Sequence, residues 1–497
     1  REREREKIEI GKFRNGRVLI IMMMMRVARR GLMQGRHYQT VAVDNPYTGD
    51  TFCEINLSDQ TEAAKRVASA STAYKSWRTS SLADRIQLCE RFMDEMEKNK
   101  DQVARDISGM MGKPLQQSYG EIKGMYQRVR GMIAAAPEAL ASELVEDSAE
   151  GYRSIQKVPV GVVLIIAPWN YPLLTSINTV VPAILAGNSV IIKQSYRTPL
   201  CANHFEDAFA SANAPEGLVT ALHADHDVTG DVIADERVGF VAFTGSVRGG
   251  HEVYQKVSRR FIDATLELGG KDPAYVAADA DPKSAAEGLI DGAFYNAGQS
   301  CCGIERVYVH ESHYDAFLEH ALPIVEGYKL GDPSDPATSL GPMALPGAPA
   351  ELQAQVDQAR ERGARVLCGG HPTTDSKGFG RFFAPTLVAD CKQDMDIIQE
   401  ESFGPVLGVM PVKSDEEALS HMNDSKYGLT AAVFTSSKER AMSMASRLEC
   451  GTVFMNRCDN LDPELPWTGV KDTGKGVSLS RHGFRGVTRL QGYNFRY

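Results

Sequence analysis

The sequence predicts an α/β protein whose strands form mostly parallel sheets. From about residue 160 onward, short apolar runs alternate with helical patterns, and this alternation is typical of parallel sheets. Of the 497 residues, 43% are hydrophobic and 24% are charged, which is the composition of a globular chain long enough for two or three cores. No internal repeat and no low-complexity linker interrupts the pattern.

The net charge and the cysteines exclude several classes of protein. A formal charge of -9 argues against a general nucleic-acid binder. The nine cysteines are scattered without a Cys-x-x-Cys pair, so we expect reduced thiols and an intracellular location. Histidines and cysteines form no cluster with metal-ligand spacing, and no metal site is predicted.

Residues 1–37 form an atypical N-terminal extension that we leave out of the fold prediction. Its apolar run at residues 18–25 is too short to cross a bilayer, so no membrane span is predicted. Residues 10–43 include arginines but no Asp, Glu or Ser, and an Arg-rich, acid-free lead resembles an organelle transit peptide even without serine. We expect a cytoplasmic protein, or a mitochondrial one if this lead is a transit peptide.

The next part of the chain is predicted to be mainly helical. A turn at residues 45–50 separates two short strands, and Gly112 and Pro114 mark a helix break. The polar segment 146–158 is predicted to be extended, either as a surface hairpin or as an arm that pairs with a partner subunit. Helical patterns occur at residues 61–78, 81–111 and 115–140.

Two stretches of alternating strands and helices follow. The first has predicted strands at 162–167, 189–193, 219–223 and 238–243, with helices ending at 187 and spanning 200–212 and 228–235. The second begins near residue 274 and has predicted strands at 304–309, 365–368, 429–434 and 452–456, with helices at 351–362 and 439–447. The tail from residue 467 has no strong periodicity. Parallel sheets bind ligands at the carboxyl ends of their strands, so we expect the site there.

A glycine-rich turn at residues 245–250 lies between a predicted strand and a predicted helix. In this context the turn can hold a dinucleotide phosphate at a helix N-terminus. It is not a Gly-x-Gly-x-x-Gly motif, and such turns also serve tight packing alone. Both interpretations stay open at this point.

Three reactive side chains flank apolar runs. Cys301 lies on a turn that Gly298 begins, Glu267 closes a strand-like run, and Asn170 follows the strand at 162–167. A lone cysteine is more often a small buried hydrophobe. Together, however, a thiol, a carboxylate and a carboxamide are what acyl chemistry on a carbonyl requires. The three segments therefore favour catalysis.

Five motifs together resemble the aldehyde dehydrogenase superfamily, over about residues 40–490. They are Pro-Trp-Asn-Tyr-Pro at 168–172, Phe-Thr-Gly-Ser at 243–246, Glu-Leu-Gly-Gly-Lys at 267–271, Gly-Gln-Ser-Cys at 298–301 and Glu-Glu-Ser-Phe-Gly-Pro at 400–405. The resemblance implies a Rossmann-like cofactor domain, an α/β catalytic domain and a small β oligomerisation arm. The implied division is 38–145 and 160–267 for the dinucleotide-binding domain, 268–466 for the catalytic domain, and 146–159 and 467–497 for the oligomerisation arm and tail.

The resemblance also implies a role for each site residue. Cys301, rather than Cys302, would be the nucleophile, Asn170 would contribute to the oxyanion hole, and Glu267 would be the general base that hydrolyses a thioester. The cofactor would be NAD, with NADP also tolerated. The implied cofactor-binding residues are Lys193, Ser195, Tyr196, Gly245, Ser246, Leu268, Glu401 and Trp169. Each role has an alternative: Glu267 and Glu401 as surface carboxylates, Lys193 as a solvated strand end, Asn170 as a helix cap, and Trp169 as packing.

This chain departs from the family pattern at several positions. Tyr196 stands where many members have a Glu that binds the adenosine ribose, and the loss of that carboxylate removes a repulsion against a 2′-phosphate. Thr179 and Ser478 stand where many members have a Lys and a Glu that are thought to relay protons. Glu267 is therefore expected to exchange its proton with solvent by another route.

The resulting functional prediction is NAD(P)-dependent oxidation of a small-molecule aldehyde to a carboxylic acid. The alternatives are acylation of coenzyme A, which an activated hydroxide at Glu267 disfavours, and a non-catalytic structural or binding protein on the same fold. Arg306 is either an anchor for an acidic substrate such as a semialdehyde or a structural ion-pair partner. The resemblance implies a homodimer or homotetramer, built through the hairpin near 146–158 and the C-terminal tail.

Overall fold

The computed structural model describes residues 39–458 and 460–497. The predicted extension at 1–37 lies outside these residues. Within them, no helix is both long enough and apolar enough to cross a membrane. The segment Val41–Tyr497 is one compact unit.

The first elements confirm the predicted helical region, with one correction. They are β1 (Thr40–Asp44), β2 (Thr51–Asn56), α1 (Gln60–Trp77), α2 (Leu82–Lys98), α3 (Lys100–Met111), α4 (Leu115–Leu140), β3 (Glu143–Ser148) and β4 (Gly151–Pro159). The predicted single helix at 81–111 is wrong, because it breaks at Asn99, whose backbone is not helical. The Asn99 side chain donates to the carbonyl of Glu95 at 3.2 Å, which is the local competition that disfavours Asn inside helices.

The next elements build the first sheet. They are β5 (Val162–Ala167), α5 (Pro172–Ala186), β6 (Ser189–Gln194), α6 (Leu200–Ser211), β7 (Val219–Ala221), α7 (His226–Ala234), β8 (Val238–Thr244), α8 (Val247–Val257) and β9 (Asp263–Glu267). In the described chain the parallel order is β9-β8-β5-β6-β7, and the tail strand Gly474–Lys475 pairs antiparallel with β9. Strands β5 and β6 are buried throughout, which explains their continuous apolar runs.

The remaining elements build the second sheet and the tail. They are β10 (Asp272–Val276), α9 (Pro282–Phe294), β11 (Ile304–His310), α10 (Tyr314–Glu326), α11 (Ala348–Glu361), β12 (Arg365–Cys368), β13 (Pro372–Thr373), β14 (Phe382–Phe383), β15 (Thr386–Ala389), α12 (Asp396–Gln399), β16 (Val406–Val412), α13 (Asp415–Asn423), β17 (Tyr427–Gly428), β18 (Thr430–Phe434), α14 (Lys438–Ala445), β19 (Thr452–Met455), β20 (Val470–Lys471), β21 (Gly474–Lys475) and β22 (Thr488–Arg496). The sheet order across the described residues is β12-β15-β16-β11-β10-β18-β19, and only β12 is antiparallel to its neighbour. The chain is therefore the predicted mixed α/β fold with parallel sheets.

A third sheet contains the predicted hairpin. Strands β3 and β4 pair antiparallel, and β22 pairs along the whole of β4. The tail thus contains a strand that the periodicity did not reveal, because nearly every residue of β22 is exposed and no apolar alternation marks it. Large apolar side chains remain exposed on this sheet at Leu144, Leu490 and Phe495.

Candidate active site

The carboxyl ends of neighbouring strands in the first sheet carry most of the predicted site residues. Asn170 follows β5, Lys193 lies at the end of β6, Gly245 follows β8 and Glu267 ends β9. The strands are in register there, since Thr244 pairs with Glu267 and Ile166 pairs with Lys193. The structure therefore brings these residues to one edge of the sheet, as parallel topology requires.

The second sheet contributes the amino ends of its strands instead. Cys301 precedes β11, and Glu401 precedes β16, which is the neighbour of β11. The rule that sites lie at the carboxyl ends of strands thus accounts for only half of this site. The two edges meet where the chain crosses from β9 into β10.

Gly269 and Gly270 allow that close approach. A Cβ atom on Gly270 would lie 1.9 Å from the carbonyl oxygen of Cys301, and one on Gly269 would lie 2.8 Å from Oε2 of Glu401. The backbone N–H of Gly270 donates to Oε1 of Glu401 at 2.8 Å. The backbone contact leaves room only for glycine at 270, whereas at 269 a Cβ would displace the Glu401 carboxylate. The pair thus brings together the cysteine turn, Glu401 and the strand that ends in Glu267.

The turn before the thiol is strained. Asn296, Ala297 and Gly298 have φ of 55°, 54° and 67°, which is the left-handed region. Non-glycine residues pay about 1–2 kcal/mol each for that conformation, and such strain persists where surrounding contacts hold it. Here the Asn296 side chain donates to the carbonyls of Asn170 and Gln299, both at 3.2 Å. Cys301 at the end of the turn is partly exposed, whereas Cys302 is buried.

Asn170 is buried and faces the cysteine turn. Its side-chain Nδ2 donates to the carbonyl of Gln299 at 3.1 Å, and an amide nitrogen has a second N–H to offer. The interpretation of Asn170 as a helix cap is wrong, because the N-cap of α5 is Tyr171 and it has no side-chain capping bond. The Asn170 amide is therefore bound to a residue two positions before Cys301, and its second N–H can donate to another group.

Glu267 is the carboxylate of the site. Ser478 Oγ donates to its Oε1 at 2.6 Å, and Thr244 Oγ1 donates to its Oε2 at 3.3 Å. Burial raises the pKa of Glu267, against the opposing effects of Ser478, Arg128 and Thr244. Glu267 is therefore a partly buried carboxylate bound by two hydroxyls, not a freely solvated surface group. A raised pKa is what a general base working near neutral pH needs.

Glu401 is also an enclosed carboxylate rather than a surface one. Burial raises its pKa to about 7, with further help from Glu305, while the Gly270 N–H acts in the opposite direction. Two residues further on, Phe403 packs edge to face against Trp169, with ring centroids 5.5 Å apart. Trp169 therefore packs against the Glu401 loop.

Lys193 is buried rather than solvated at its strand end. Its Nζ lies 4.6 Å from the ring centroid of Tyr196, whose hydroxyl donates to the Ala224 carbonyl at 3.0 Å. Burial lowers the pKa of Lys193 to about 8, and Asp225 opposes the shift. Ser195 beside it is partly exposed, and its amide donates to the Ala167 carbonyl at 2.9 Å. The ammonium is thus placed to meet an anionic ligand.

The glycine-rich turn after β8 is shorter than the predicted span 245–250, because α8 begins at Val247. Ser246 is the N-cap and accepts from the Gly249 N–H at 3.2 Å, and the Gly245 N–H donates to the Glu267 carbonyl at 3.0 Å. Ser246 stays exposed at this helix N-terminus, where the backbone N–H groups favour anions. Leu268, by contrast, is buried in the core beside α8.

Arg306 differs from both of its predicted roles. It is 1% exposed and donates to the carbonyls of Lys271 at 2.7 Å and Met422 at 2.9 Å. It forms no ion pair within the described residues. Arg306 is therefore a structural residue that satisfies buried carbonyls, not a substrate anchor.

Sequence reasoning missed two buried ion pairs that touch the site loops, Lys113–Glu121 and Lys271–Glu305. Neither has a spacing signal, because each pairs residues from different elements. In the described part of the chain, no group of three or more His, Cys, Asp or Glu could hold a metal ion.

This mixed α/β fold with parallel sheets is that of nicotinamide-dependent oxidoreductases. The aldehyde dehydrogenase family model matches residues 33–492, so the chain belongs to the aldehyde dehydrogenase family. The enzyme oxidises aldehydes with NAD(P).

Relatives and solved structures agree across nearly the whole chain. The chain is 33% identical to an NAD(P)+-dependent succinate semialdehyde dehydrogenase of Escherichia coli, covering 90% of this chain and 96% of the relative. It is 33% identical to a 3,6-anhydro-alpha-L-galactose dehydrogenase of Streptomyces coelicolor, covering 90% and 92%. A succinic semialdehyde dehydrogenase from Streptococcus pyogenes, solved with NADP+ as the cofactor, superposes with a TM-score of 0.86 at 32% identity, covering 91% and 99%.

Proposed function

We propose that Cys301 is the nucleophile, Asn170 the oxyanion donor and Glu267 the general base of this aldehyde dehydrogenase. The thiolate adds to the aldehyde carbon, and the Asn170 amide with the Cys301 backbone N–H stabilises the oxyanion. A bound nicotinamide would supply the hydride acceptor, and loss of hydride from the adduct would leave the acyl group on Cys301 as a thioester. Glu267 then takes a proton from water as the water attacks the thioester, and the C–S bond breaks to release the acid and the Cys301 thiolate. Glu267 afterwards loses that proton to solvent. The meeting of the cysteine turn with Asn170 and the end of β9 carries this proposal.

The residues at the first sheet edge fit a dinucleotide. Ser246 and Gly245 at the N-terminus of α8 would hold the pyrophosphate, Lys193, Ser195 and Tyr196 would surround the adenosine ribose, and Glu401 would bind the nicotinamide ribose. Leu268 and Trp169 would contribute packing around it. With Tyr196 in place of a carboxylate beside Lys193, NADP is accepted as well as NAD. Titrating both cofactors against wild type and Tyr196→Glu tests this, since the new carboxylate should weaken NADP binding more than NAD binding.

The electrostatics favour an aldehyde that bears a carboxylate. Arg128 donates to the carbonyl of Leu174 and the side chain of Asn178 on α5, at 2.8 and 3.0 Å, and its charge lowers the pKa of Glu267. A cation near the reaction centre attracts an anionic substrate. We therefore compare succinic semialdehyde with butanal, an uncharged aldehyde of equal chain length. Arg128→Gln should lower kcat/KM for the first much more than for the second, and an equal loss for both would reject the preference.

One experiment separates the proposed reaction from its alternatives. Wild type should form NADH or NADPH from aldehydes, Cys301→Ala should form none, and Cys302→Ala should stay active as the matched control. Glu267→Gln should give one burst of reduced cofactor and then stop, because the thioester is not hydrolysed. Release of acyl-CoA on addition of coenzyme A would favour the acylating alternative, and cofactor binding without turnover of any aldehyde would favour a binding protein.

The domain division and the assembly state are also proposals. The separate sheets support a cofactor domain at 38–145 and 160–267 and a catalytic domain at 268–466. The exposed Leu490 and Phe495 support an arm, formed by 146–159 and 467–497, that joins subunits into a dimer or tetramer. Light scattering of wild type and Leu490→Lys tests this, and a monomeric wild type would reject it. The nine cysteines are scattered without a Cys-x-x-Cys pair, which supports a reducing intracellular compartment. Fractionation of cells would distinguish cytoplasm from mitochondrion.

A further inference from the structure

Two lysine–glutamate pairs are buried against the segments that carry Asn170 and Glu401. The side chains of Lys113 and Glu121 are both 0% exposed, and those of Lys271 and Glu305 are 0% and 4% exposed. Removing two charges from water is costly, and a buried pair often stabilises a fold no better than packed apolar residues would. Each pair therefore calls for an explanation other than stability.

The first pair holds the loop that carries Asn170. Lys113 Nζ donates to Glu121 and to the backbone carbonyl of Asn170, the latter at 2.8 Å, and lies 4.1 Å from the ring centroid of Tyr171. Glu121 Oε1 accepts from the backbone N–H groups of Leu173 at 2.8 Å and Leu174 at 3.3 Å.

Glu121 thereby supplies the cap that α5 lacks in its own sequence. Tyr171 at the N-cap has no side-chain capping bond, so the first N–H groups of α5 need an acceptor from elsewhere. A carboxylate at a helix N-terminus also interacts favourably with the helix dipole. The pair thus fixes both the start of α5 and the carbonyl of the residue whose amide faces the cysteine turn.

The second pair holds the loop that carries Glu401 in the same manner. Lys271 Nζ donates to Glu305 Oε2 at 2.7 Å and to Ser402 Oγ at 3.0 Å. The Glu305 carboxylate accepts from the backbone N–H groups of Ser402 and Phe403, both at 2.8 Å. In each pair, the carboxylate accepts from two successive backbone N–H groups close to a site residue, and the lysine binds the same segment.

We propose that Lys113–Glu121 and Lys271–Glu305 are two positioning pairs, the first setting the oxyanion donor Asn170 and the second setting the cofactor carboxylate Glu401. The proposal rests on the proposed function, because it assigns each pair to one part of that reaction. The first pair controls the rate at which the thioester forms. The second controls cofactor affinity.

The test uses two matched variants, Glu121→Gln and Glu305→Gln, each of which removes one charge and keeps the side-chain shape. Single-turnover hydride transfer at saturating cofactor and cofactor Kd by fluorescence titration are measured for both. Glu121→Gln should slow hydride transfer about 10- to 100-fold with an unchanged Kd, because small displacements of a catalytic group have such effects. Glu305→Gln should weaken cofactor binding about tenfold and slow the saturated hydride step far less.

Thermal unfolding of the same samples and one double variant keep the result interpretable. Lys113→Met with Glu121→Leu removes both charges, so it should recover thermal stability but not the hydride-transfer rate, since the Lys113 bond to the Asn170 carbonyl and the Glu121 cap of α5 are then both lost. Equal effects of both single variants on both readouts, or recovery of the rate in the double variant, would overturn the proposal. Wild type that reduces no cofactor with any aldehyde would instead refute the proposed function.

Discussion

With Glu267 as the proposed general base, removing the Ser478 hydroxyl should shift the pH dependence of thioester hydrolysis toward alkaline pH. Ser478 Oγ donates to Glu267 at 2.6 Å and so stabilises the ionised carboxylate, opposing the effect of burial, which raises the pKa of Glu267. Ser478→Ala removes this stabilisation and raises that pKa further. The ionised form of Glu267 then appears only at higher pH, so the acid limb of the pH–rate profile for hydrolysis moves to higher pH.

The hydrogen bond sets the size of the shift. Hydrogen bonds to charged groups contribute about 1.5–3 kcal/mol, and about 1.4 kcal/mol corresponds to one pKa unit. The acid limb of Ser478→Ala should therefore lie about one to two units above that of wild type. The bond from Thr244 is longer, at 3.3 Å, so Thr244→Ala should give a smaller shift of the same sign.

Pre-steady-state kinetics across a pH series measure this directly. The burst of reduced cofactor reports thioester formation, and the steady-state rate after the burst reports hydrolysis. Ser478→Ala should keep the burst and lose the steady-state rate at neutral pH, while Ser446→Ala, an exposed serine away from the site, should match wild type. An unshifted acid limb, or a burst lost together with the steady-state rate, would refute the reasoning.

Three further predictions concern Glu401, Lys193 and the cysteine turn. Burial raises the pKa of Glu401 to about 7, so its contribution to folding stability is full below its ordinary pKa of 4.5 and is lost as pH rises through 7. The loss is about 3 kcal/mol at most. Denaturant unfolding across pH should show this decline in wild type and not in Glu401→Gln. Because burial lowers the pKa of Lys193 to about 8, cofactor affinity should fall as pH rises through 8, and Lys193→Arg should abolish that dependence in fluorescence titrations. Ala297 has a φ of 54°, a conformation that glycine adopts with less strain. Ala297→Gly should therefore raise the free energy of unfolding by up to about 1 kcal/mol in urea melts, and it should lower kcat because the turn becomes less rigid. A destabilised variant would contradict this prediction.

The sequence by itself determined most of the local elements and predicted the candidate site residues. Alternating apolar runs predicted the parallel strands, because strands buried on both faces need continuous hydrophobic residues. The motifs at Asn170, Glu267 and Cys301 were visible because turn residues must follow each strand or helix there. Where local chemistry competed with periodicity, as at Asn99, or where exposure erased it, as in β22, the prediction failed.

Only the tertiary structure decided how these residues act together. It placed the amino ends of β11 and β16 against the carboxyl ends of the strands in the first sheet. It also brought Ser478 of the tail within hydrogen-bond distance of Glu267, and Glu121 within hydrogen-bond distance of the first turn of α5. It also showed that Arg306 donates hydrogen bonds to backbone carbonyls and is not a substrate anchor. Hydrogen bonds and desolvation act over a few ångströms, whereas these partners lie tens to hundreds of residues apart along the chain. No local pattern encodes such contacts, so the pKa of Glu267 and the geometry around Cys301 depend on the fold as a whole.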